Sequence, residues 1–420
     1  MKSAKKFLGL GVVVSINLAL QFLFQWYIIV SFGAGPQSDV FFGAQALPQF
    51  ILLVLSGSLT MVLIPLFANQ KKEDLVAEAW NYFQAIGLLF AAIALVLLVT
   101  VHWWVQWVLP GFKGENLQLA VHLSSIQLLG MVLSAMLSVV WAVNSAQENF
   151  VAIETTSIAA GLISLVLLFF AVKYMDIYAA AWVSVLRIFL QIAFLMKKMG
   201  PWQRPDFRSA SFKTSWQKVK PLMAGNVYYK TDSLLDKYLT SGGVTGDLTL
   251  LNLAQQLYSM AINILSKTFI NTIMPSLAVK SKSDKAAMHL AFRKRLWLLL
   301  IISTAFFLVL VVVGKPLLGL VFGLKNFDAK AVDRLWLILM LLFGFWFGGL
   351  LGLLTSGVFY AKGDTRTPTR MGVILFTLYL PIKVYVFHRF GIEGLAVSIS
   401  IYILFSLFLQ IFLLEKMKYV

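Results

Sequence analysis

The chain has 420 residues, of which 60% are hydrophobic and 13% charged, and it contains no cysteine. Its mean hydropathy of +0.83 lies outside the range of water-soluble domains. The lack of cysteine excludes disulfides and thiolate chemistry. The four histidines have no metal-ligand spacing, so neither a metal nor another cofactor is expected. The composition indicates a protein that crosses a membrane several times.

Apolar segments of about 20 residues, the length that spans a bilayer as a helix, recur along the whole chain. No stretch shows the period-two alternation of a membrane strand, so helices are the remaining way to satisfy backbone groups in lipid. About twelve segments are distinguished, in chain order 8–30, 41–67, 80–101, 119–143, 151–172, 177–196, 221–240, 248–278, 296–313, 334–358, 371–387 and 394–414.

The net charge of +17 is distributed as membrane topology requires. Lysine and arginine gather before the first segment and then in alternate loops, at Lys71 and Lys72, in 197–220, in 280–295 and in 362–370. The positive-inside rule places these loops and both termini in the cytoplasm. The basic excess therefore indicates topology and attraction to anionic membrane lipids, and nucleic acid is not an expected partner.

The longest polar stretch, 197–220, separates six predicted helices from six others. The predicted division is an N-terminal lobe at 1–196, a basic cytoplasmic linker at 197–220 and a C-terminal lobe at 221–420. Because each lobe has an even number of spans, the two are expected to be parallel repeats. The predicted fold is an all-α polytopic membrane protein with two pseudo-symmetric six-helix lobes around a central cavity.

A glycine-rich break follows the first segment. Gly33 and Gly35 allow backbone angles closed to other residues, Pro36 restarts a helix, and Asp39 is expected to cap it. The stretch FGAGPQSDVFFGAQALPQF, from Phe32 to Phe50, and the later LIPLF resemble the start of the MurJ (MviN) family of lipid II flippases.

Two further stretches are similar to that family. FYAKGDTRTPTR, from Phe359 to Arg370, resembles its cytoplasmic loop in the second lobe, and LLDKYLTSG, from Leu234 to Gly242, resembles the end of its seventh helix. The resemblance implies the fold of the multidrug/oligosaccharidyl-lipid/polysaccharide exporter superfamily. It also implies a transporter rather than an enzyme, with a polyprenyl-pyrophosphate carrying sugars as its cargo.

The chain departs from the family pattern at charged positions. The first helix and the helix after Pro48 lack the family's basic residues, and Gln255 and Gln256 stand where the family has an Asp-Arg pair after alanine. The family generally has fourteen helices, against about twelve expected here. These departures leave the identity of the glycan open.

Amides at helical spacing suggest a different lining for the cavity. Four-residue spacing puts amides on one helix face, and an amide offers sugar hydroxyls both donors and acceptors. The alternative is that these groups only bond neighbouring helices. The candidates are Asn17, Gln21, Gln25, Gln45 and Gln49 in the first lobe, and Asn226, Gln255, Gln256 and Asn263 in the second.

Charges inside predicted spans are the other candidates. Arg187, Lys230 and Lys267 lie too deep to reach water easily, whereas Lys237 and Lys383 can snorkel. An anionic headgroup could neutralise Lys230 and Lys267. Alternatively, Asp232 and Asp236 could neutralise Lys230 or Lys237, with Asp236 paired to Lys237 or to a residue of a neighbouring helix. A coupling cation could bind at Asp39, Asp232 or Asp236.

The expected function is a flippase that carries a lipid-linked glycan from the inner to the outer leaflet by alternating access. An exopolysaccharide or O-antigen flippase of the same superfamily remains an alternative. A cation-coupled drug exporter would prefer acidic residues in its spans, and a glycan polymerase would need a large outer loop.

Overall fold

A computed structural model describes residues 2–197, 199–208, 212–213, 216–217, 227–266, 285–417 and 419. Every regular element in these residues is helical. The helices are α1 (Lys2–Phe32), α2 (Pro36–Ala44), α3 (Ala46–Ala68), α4 (Lys72–Val99), α5 (Val101–Val108), α6 (Glu115–Ala146), α7 (Phe150–Met175), α8 (Ile177–Met196), α9 (Val227–Ser241), α10 (Asp247–Leu265), α11 (Lys285–Phe322), α12 (Ala329–Leu341), α13 (Phe343–Ala361) and α14 (Arg366–Lys416).

The chain divides into two compact units, Met1–Gly242 and Gly243–Val420. The first unit therefore includes α9, which follows the basic linker, whereas the lobes expected from sequence separate at that linker. The reason lies in α9 itself, whose side chains bond to α2 and α3. The division into two related lobes of six helices each stays a prediction from the sequence.

Nine of the helical stretches in the described residues are long and apolar enough to cross a membrane. One of them is the 51-residue α14, which would be about 77 Å long at 1.5 Å per residue, far beyond a hydrocarbon core of about 30 Å. Gly391 interrupts it with φ 63° and ψ −151°. The rings of Tyr379 and Tyr402 stack at 4.2 Å on either side of this glycine, so α14 is a hairpin of two spans.

When the two halves of α14 are counted separately, the number of spans in the described residues approaches the number predicted from the sequence. The short α9 and the more polar α10 occupy the positions of the two remaining predicted segments. Large apolar side chains such as Val99, Val312 and Leu320 are exposed on the outside of the helices. Such a surface suits contact with lipid rather than with water, which confirms the membrane class.

The glycine-rich break between α1 and α2 forms as expected, but its cap differs. Gly33 has φ 70°, and Pro36 is the first residue of α2 after the extended Gly35. Gly35, and not Asp39, is the N-cap residue, and no side chain caps this end. Proline fixes φ at the first helical position, so α2 starts there and Asp39 is buried in its first turn.

The core of the first unit lies between α3, α4 and α6. Phe67, Tyr82 and Phe90 are almost completely buried there, and the rings of Phe67 and Tyr82 meet edge to face at 5.9 Å. Ring burial supplies much of the packing energy in such a core. This packing holds α6 as a rigid support for the polar side chains described below.

Close glycine packing holds α13 against the second half of α14. A Cβ atom on Gly344 would collide with the backbone of Ser400, and one on Gly348 would collide with Ile403. Gly344 N also donates to Ser400 Oγ at 3.1 Å. Small residues permit such approach of helix backbones in membranes. Gly344 and Gly348 therefore serve close packing of these two helices.

Lys383 does not snorkel to the membrane surface as expected from sequence. Its side chain is fully buried in the second unit, and its Nζ lies 5.4 Å from the centre of the Tyr379 ring. An aromatic face stabilises an ammonium by cation–π attraction. The hairpin at Gly391 turns this part of α14 toward its own second half, which sequence position alone does not reveal.

Candidate functional site

A cavity of about 240 Å³ lies inside the first unit between α1, the α2–α3 junction, α6 and α8. Its polar lining consists mostly of amide side chains, together with two serines and one guanidinium. No acidic residue is among the described residues that line it. The polar members are Gln21, Gln25, Gln45, Gln49, Gln127, Ser134, Ser184 and Arg187.

Local sequence explains why these side chains face one space. Gln21 and Gln25 are four residues apart on α1, which puts them on one face. Pro48 lacks an N–H, so the carbonyl of Ala44 loses a helical donor and instead accepts from Ser124 Oγ at 3.4 Å. This contact holds the α2–α3 junction against α6 and directs Gln45 toward the cavity.

Arg187 supplies the positive charge of the cavity. Its half-buried side chain lies against α7, where a Cβ atom on Gly161 would come within 3.5 Å of Nη2. No side chain or backbone carbonyl among the described residues bonds to its guanidinium. Because a guanidinium has five N–H donors and no acceptor, Arg187 is available to an anion.

Two buried amide atoms at the cavity also lack a hydrogen-bond partner in the described residues. They are the acceptor Oε1 of Gln25 and the donor Nε2 of Gln127. A buried polar atom without a partner costs about 1 to 3 kcal/mol, so such atoms are expected to meet water or a ligand. The cavity therefore offers both acceptors and donors beside a cation.

Asn17 lies outside this cavity lining. Its Nδ2 donates to Glu154 Oε2 at 2.7 Å, and its Oδ1 accepts from Ser157 at 2.9 Å and from Gln21 at 3.4 Å. Asn17 thus links α1 to α7. This is the alternative from the sequence analysis, in which an amide only bonds a neighbouring helix. Glu154, a carboxylate within the predicted span 151–172, was not anticipated as its partner.

Two lysines of α9 reach backbone carbonyls of the neighbouring helices. Lys230 Nζ donates to Leu53 O at 2.6 Å. Lys237 Nζ donates to Phe42 O at 3.0 Å and to Gln49 Oε1 at 3.2 Å. Lys237 therefore has these partners rather than Asp236. Lys237 bonds directly to a residue of the cavity wall.

The remaining sequence candidates do not belong to the cavity of the first unit. Gln255 and Gln256 are half-buried and Asn263 is exposed on α10 of the second unit. Asn226 and Lys267 lie outside the described residues. The cation-coupling candidates Asp39 and Asp236 are buried and Asp232 is half-buried. All three have interactions within the protein.

Sequence reasoning missed the contribution of α6. Gln127, Gly130, Met131 and Ser134 all line the cavity, and their spacing of three, four and seven residues is that of one helix face. The same spacing joins Ser184 to Arg187 on α8. This spacing is visible in the sequence. However, one glutamine and one serine in a long apolar helix do not show which neighbouring helix they face.

An array of membrane-spanning helices around a polar, cationic cavity has the architecture of a membrane transporter. The sequence model of the family described as lipid II flippase MurJ matches residues 28–420. The chain belongs to this family, which is one of transporters and not of enzymes. The family and the apolar helices together make it a multi-pass protein of the inner membrane.

Curated relatives are similar over most of their length. The probable lipid II flippase MurJ of Rhizobium tropici is 23% identical over 95% of this chain and 78% of the relative. The corresponding protein of Vibrio cholerae is also 23% identical, over 98% of this chain and 83% of the relative.

Solved structures support the same fold. A lipid II flippase MurJ in an inward closed conformation matches with a TM-score of 0.83 at 15% identity, over 98% of this chain and 89% of the other. An inward-facing multidrug resistance transporter of the MATE family matches with a TM-score of 0.67 at 16% identity, over 97% and 98% of the two chains. These matches confirm the expected all-α fold, which the chain shares with both solved transporters.

Proposed function

We propose that the protein is a flippase that moves a polyprenyl-pyrophosphate-linked sugar of the lipid II type from the inner to the outer leaflet. Membership of the MurJ family supports this cargo, since two curated relatives are named as probable lipid II flippases. The observation that carries the proposal is the position of Arg187 in a cavity lined by amides and by no described acidic residue.

The chemistry of the cavity fits the two parts of such a headgroup. A guanidinium binds phosphate oxygens through parallel hydrogen bonds. Glutamine side chains donate to and accept from sugar hydroxyls and amides. The polyprenyl tail stays in lipid, so only the head has to be shielded. A cation-coupled drug exporter, by contrast, would be favoured by acidic groups, which the described lining lacks.

Transport would proceed by alternating access of two six-helix lobes, with both termini in the cytoplasm. An interior-negative membrane potential favours outward movement of an anion by about 2.3 kcal/mol per charge per 100 mV. Inward movement of a cation through Asp39, Asp232 or Asp236 would reset the empty carrier. The amides Asn226, Gln255, Gln256 and Asn263 and the ammonium of Lys267 are further proposed contacts for the sugar.

A binding panel tests the proposal. Purified protein in lipid nanodiscs is titrated with undecaprenyl pyrophosphate, with lipid II, with a pyrophosphate lipid bearing an O-antigen unit, and with a cationic dye. Binding of at least one pyrophosphate lipid in preference to the dye is expected, and the preferred glycan identifies the cargo. Preference for the dye, or failure of all three lipids to bind, would refute the proposal.

A further inference from the structure

A chain of hydrogen bonds runs from Lys237 on α9 into the cavity of the first unit. Lys237 Nζ donates to Gln49 Oε1 at 3.2 Å, and Gln49 Nε2 donates to Gln45 Oε1 at 2.7 Å. Both glutamines line the cavity, while Lys237 does not. The cation at the start of this chain therefore lies outside the cavity lining, but it bonds directly to one lining amide and, through that amide, acts on a second.

The lysine determines the direction of this chain. An ammonium has three N–H donors and no acceptor, whereas an amide can present either its oxygen or its nitrogen. Gln49 must therefore turn its oxygen to Lys237, which leaves its NH₂ group for Gln45. Gln45 in turn must present its oxygen to Gln49, which leaves its own NH₂ group without an acceptor among the described residues.

We propose that Lys237 is a positioning residue that orients the amides of Gln49 and Gln45, so that the cavity presents N–H donors to an anionic or acceptor-rich ligand. Gln127 Nε2, also without a partner, and Arg187 add donors to the same cavity. The sequence has no basic residue from Phe7 to the end of α1, in α2, or in the part of α3 that lines the cavity. Lys237 compensates for these missing basic residues from a neighbouring helix, because the amides that it orients present their N–H donors at the cavity wall.

The backbone contact of Lys237 keeps it in place for this role. Its second acceptor, Phe42 O at 3.0 Å, lies in the last turn of α2, where carbonyls lack helical partners. Lys230 lies seven residues earlier, on the same face of α9, and donates to Leu53 O. Since Leu53 does not line the cavity, Lys230 joins α9 to α3 without reaching the amides and is the matched control.

The first test needs no ligand. Protein labelled with ¹⁵N at glutamine side chains is examined by NMR, and the signals of Gln45 and Gln49 are assigned by Gln45→Met and Gln49→Met. Lys237→Met is expected to shift both signals, although Lys237 does not touch Gln45. Lys237→Arg, which keeps the donors, should leave both near their original positions, and Lys230→Met should not move Gln45. A Gln45 signal that Lys237→Met leaves unchanged would overturn the proposal.

The second test measures affinity for undecaprenyl pyrophosphate, whose choice as probe rests on the proposed function. Lys237→Met is expected to weaken binding at least fivefold, against less than twofold for Lys230→Met. Gln45→Met should weaken binding in the wild-type background but cost little more in Lys237→Met, because the donor is already lost. Fully multiplicative losses would contradict the relay.

The two tests separate failure of the relay from failure of the proposed cargo. If the original protein does not bind the lipid but Lys237→Met shifts the Gln45 signal, the relay stands and the pyrophosphate assignment is wrong. If the lipid binds and the Gln45 signal does not move, the relay is wrong and the cargo stands. Comparison of unfolding temperatures identifies any variant that has lost its fold.

Discussion

At the scale of single residues, the anion binding proposed for the cavity depends on the charge of Arg187. Arg187→Gln keeps hydrogen-bonding capacity but removes the cation, and loss of a charge-assisted bond costs about 1.5 to 3 kcal/mol. We therefore expect at least tenfold weaker binding of undecaprenyl pyrophosphate, measured in nanodiscs. Arg187→Lys should recover part of the affinity, since lysine lacks the planar fork.

The matched control for Arg187 is Arg389→Gln, which removes the same charge from an exposed position in the second unit. Its affinity should stay within twofold of the original protein. Equal losses in both variants would mean that net charge, and not the cavity, attracts the lipid.

Asp364 gives a residue-level prediction for pH. Thr367 N donates to its Oδ1 at 2.9 Å and the Tyr419 hydroxyl donates to its Oδ2 at 3.3 Å. Hydrogen bonds from Thr367, and then from Tyr419, lower the pKa of this loop carboxyl. A lowered folded-state pKa gives stability that is present above the ordinary value of about 3.9 and disappears as pH falls through the folded pKa.

The change Asp364→Asn should therefore lower the unfolding temperature slightly at pH 7, because Asp364 is only weakly shielded from water. The difference between variant and original protein should shrink as pH is lowered below about 4. Thermal unfolding in detergent across this range measures it. A difference that grows on acidification would contradict the assigned hydrogen bonds.

Residue spacing could predict much of the cavity, but not all of it. Four-residue spacing identified two pairs of glutamines, each within one predicted helix: Gln21 with Gln25, and Gln45 with Gln49. Arg187 was recognisable from its depth in a span. Asn17 has the same spacing, yet it turns to Glu154 because α1 packs on α7 at that point. Whether Gln127 faces the cavity depends on how α6 packs between its neighbours, and no local sequence pattern specifies this packing.

At the scale of helices, the glycines of α13 make opposite contributions. A Cβ atom on Gly344 would overlap the Ser400 backbone, whereas one on Gly352 would meet no atom within 4 Å. Gly344→Ala should lower the unfolding temperature by several °C, because overpacking costs about 1 to 3 kcal/mol. Thermal unfolding in detergent is the measurement.

The variant Gly352→Ala provides the control in the same helix. It should leave the unfolding temperature unchanged or raise it, since alanine favours a helix over glycine by about 1 kcal/mol. If Gly344→Ala is as harmless as Gly352→Ala, the close contact between α13 and the second half of α14 is wrong.

Helix positions were predictable because hydrophobic length is a strong signal, and the separate segments 371–387 and 394–414 fit the hairpin at Gly391. The grouping of α9 with the first unit was not predictable. It depends on Lys230 and Lys237 finding the carbonyls of Leu53 and Phe42, and donors on one helix do not specify which distant carbonyl they meet.

At the scale of the whole molecule, the expected topology can be tested through the absence of native cysteine. Val244→Cys, at a position 65% exposed in the loop after α9, should react with a membrane-impermeant maleimide in intact cells. Arg208→Cys, in the basic linker, should react only after the membrane is permeabilised. The reverse pattern would contradict the orientation given by the positive-inside rule.

The fold of the whole chain was accessible from sequence because composition, segment length and the FGAGPQSDVFF and FYAKGDTRTPTR motifs agree with one another. The family's basic positions did not transfer, since amides replace them in the first helices. The cationic character of the cavity instead comes from Arg187 and, through the proposed relay, from Lys237.

Flipping by reconstituted protein tests the central claim most directly. Proteoliposomes carrying lipid II with a fluorescent headgroup, loaded in one leaflet, are assayed for headgroup exposure in the other. The original protein should expose the headgroup much faster than empty vesicles, Arg389→Gln should match it, and Arg187→Gln should be at least tenfold slower. Exposure at the rate of empty vesicles by the original protein, or equal rates for the two arginine variants, would contradict the proposed function of the cavity.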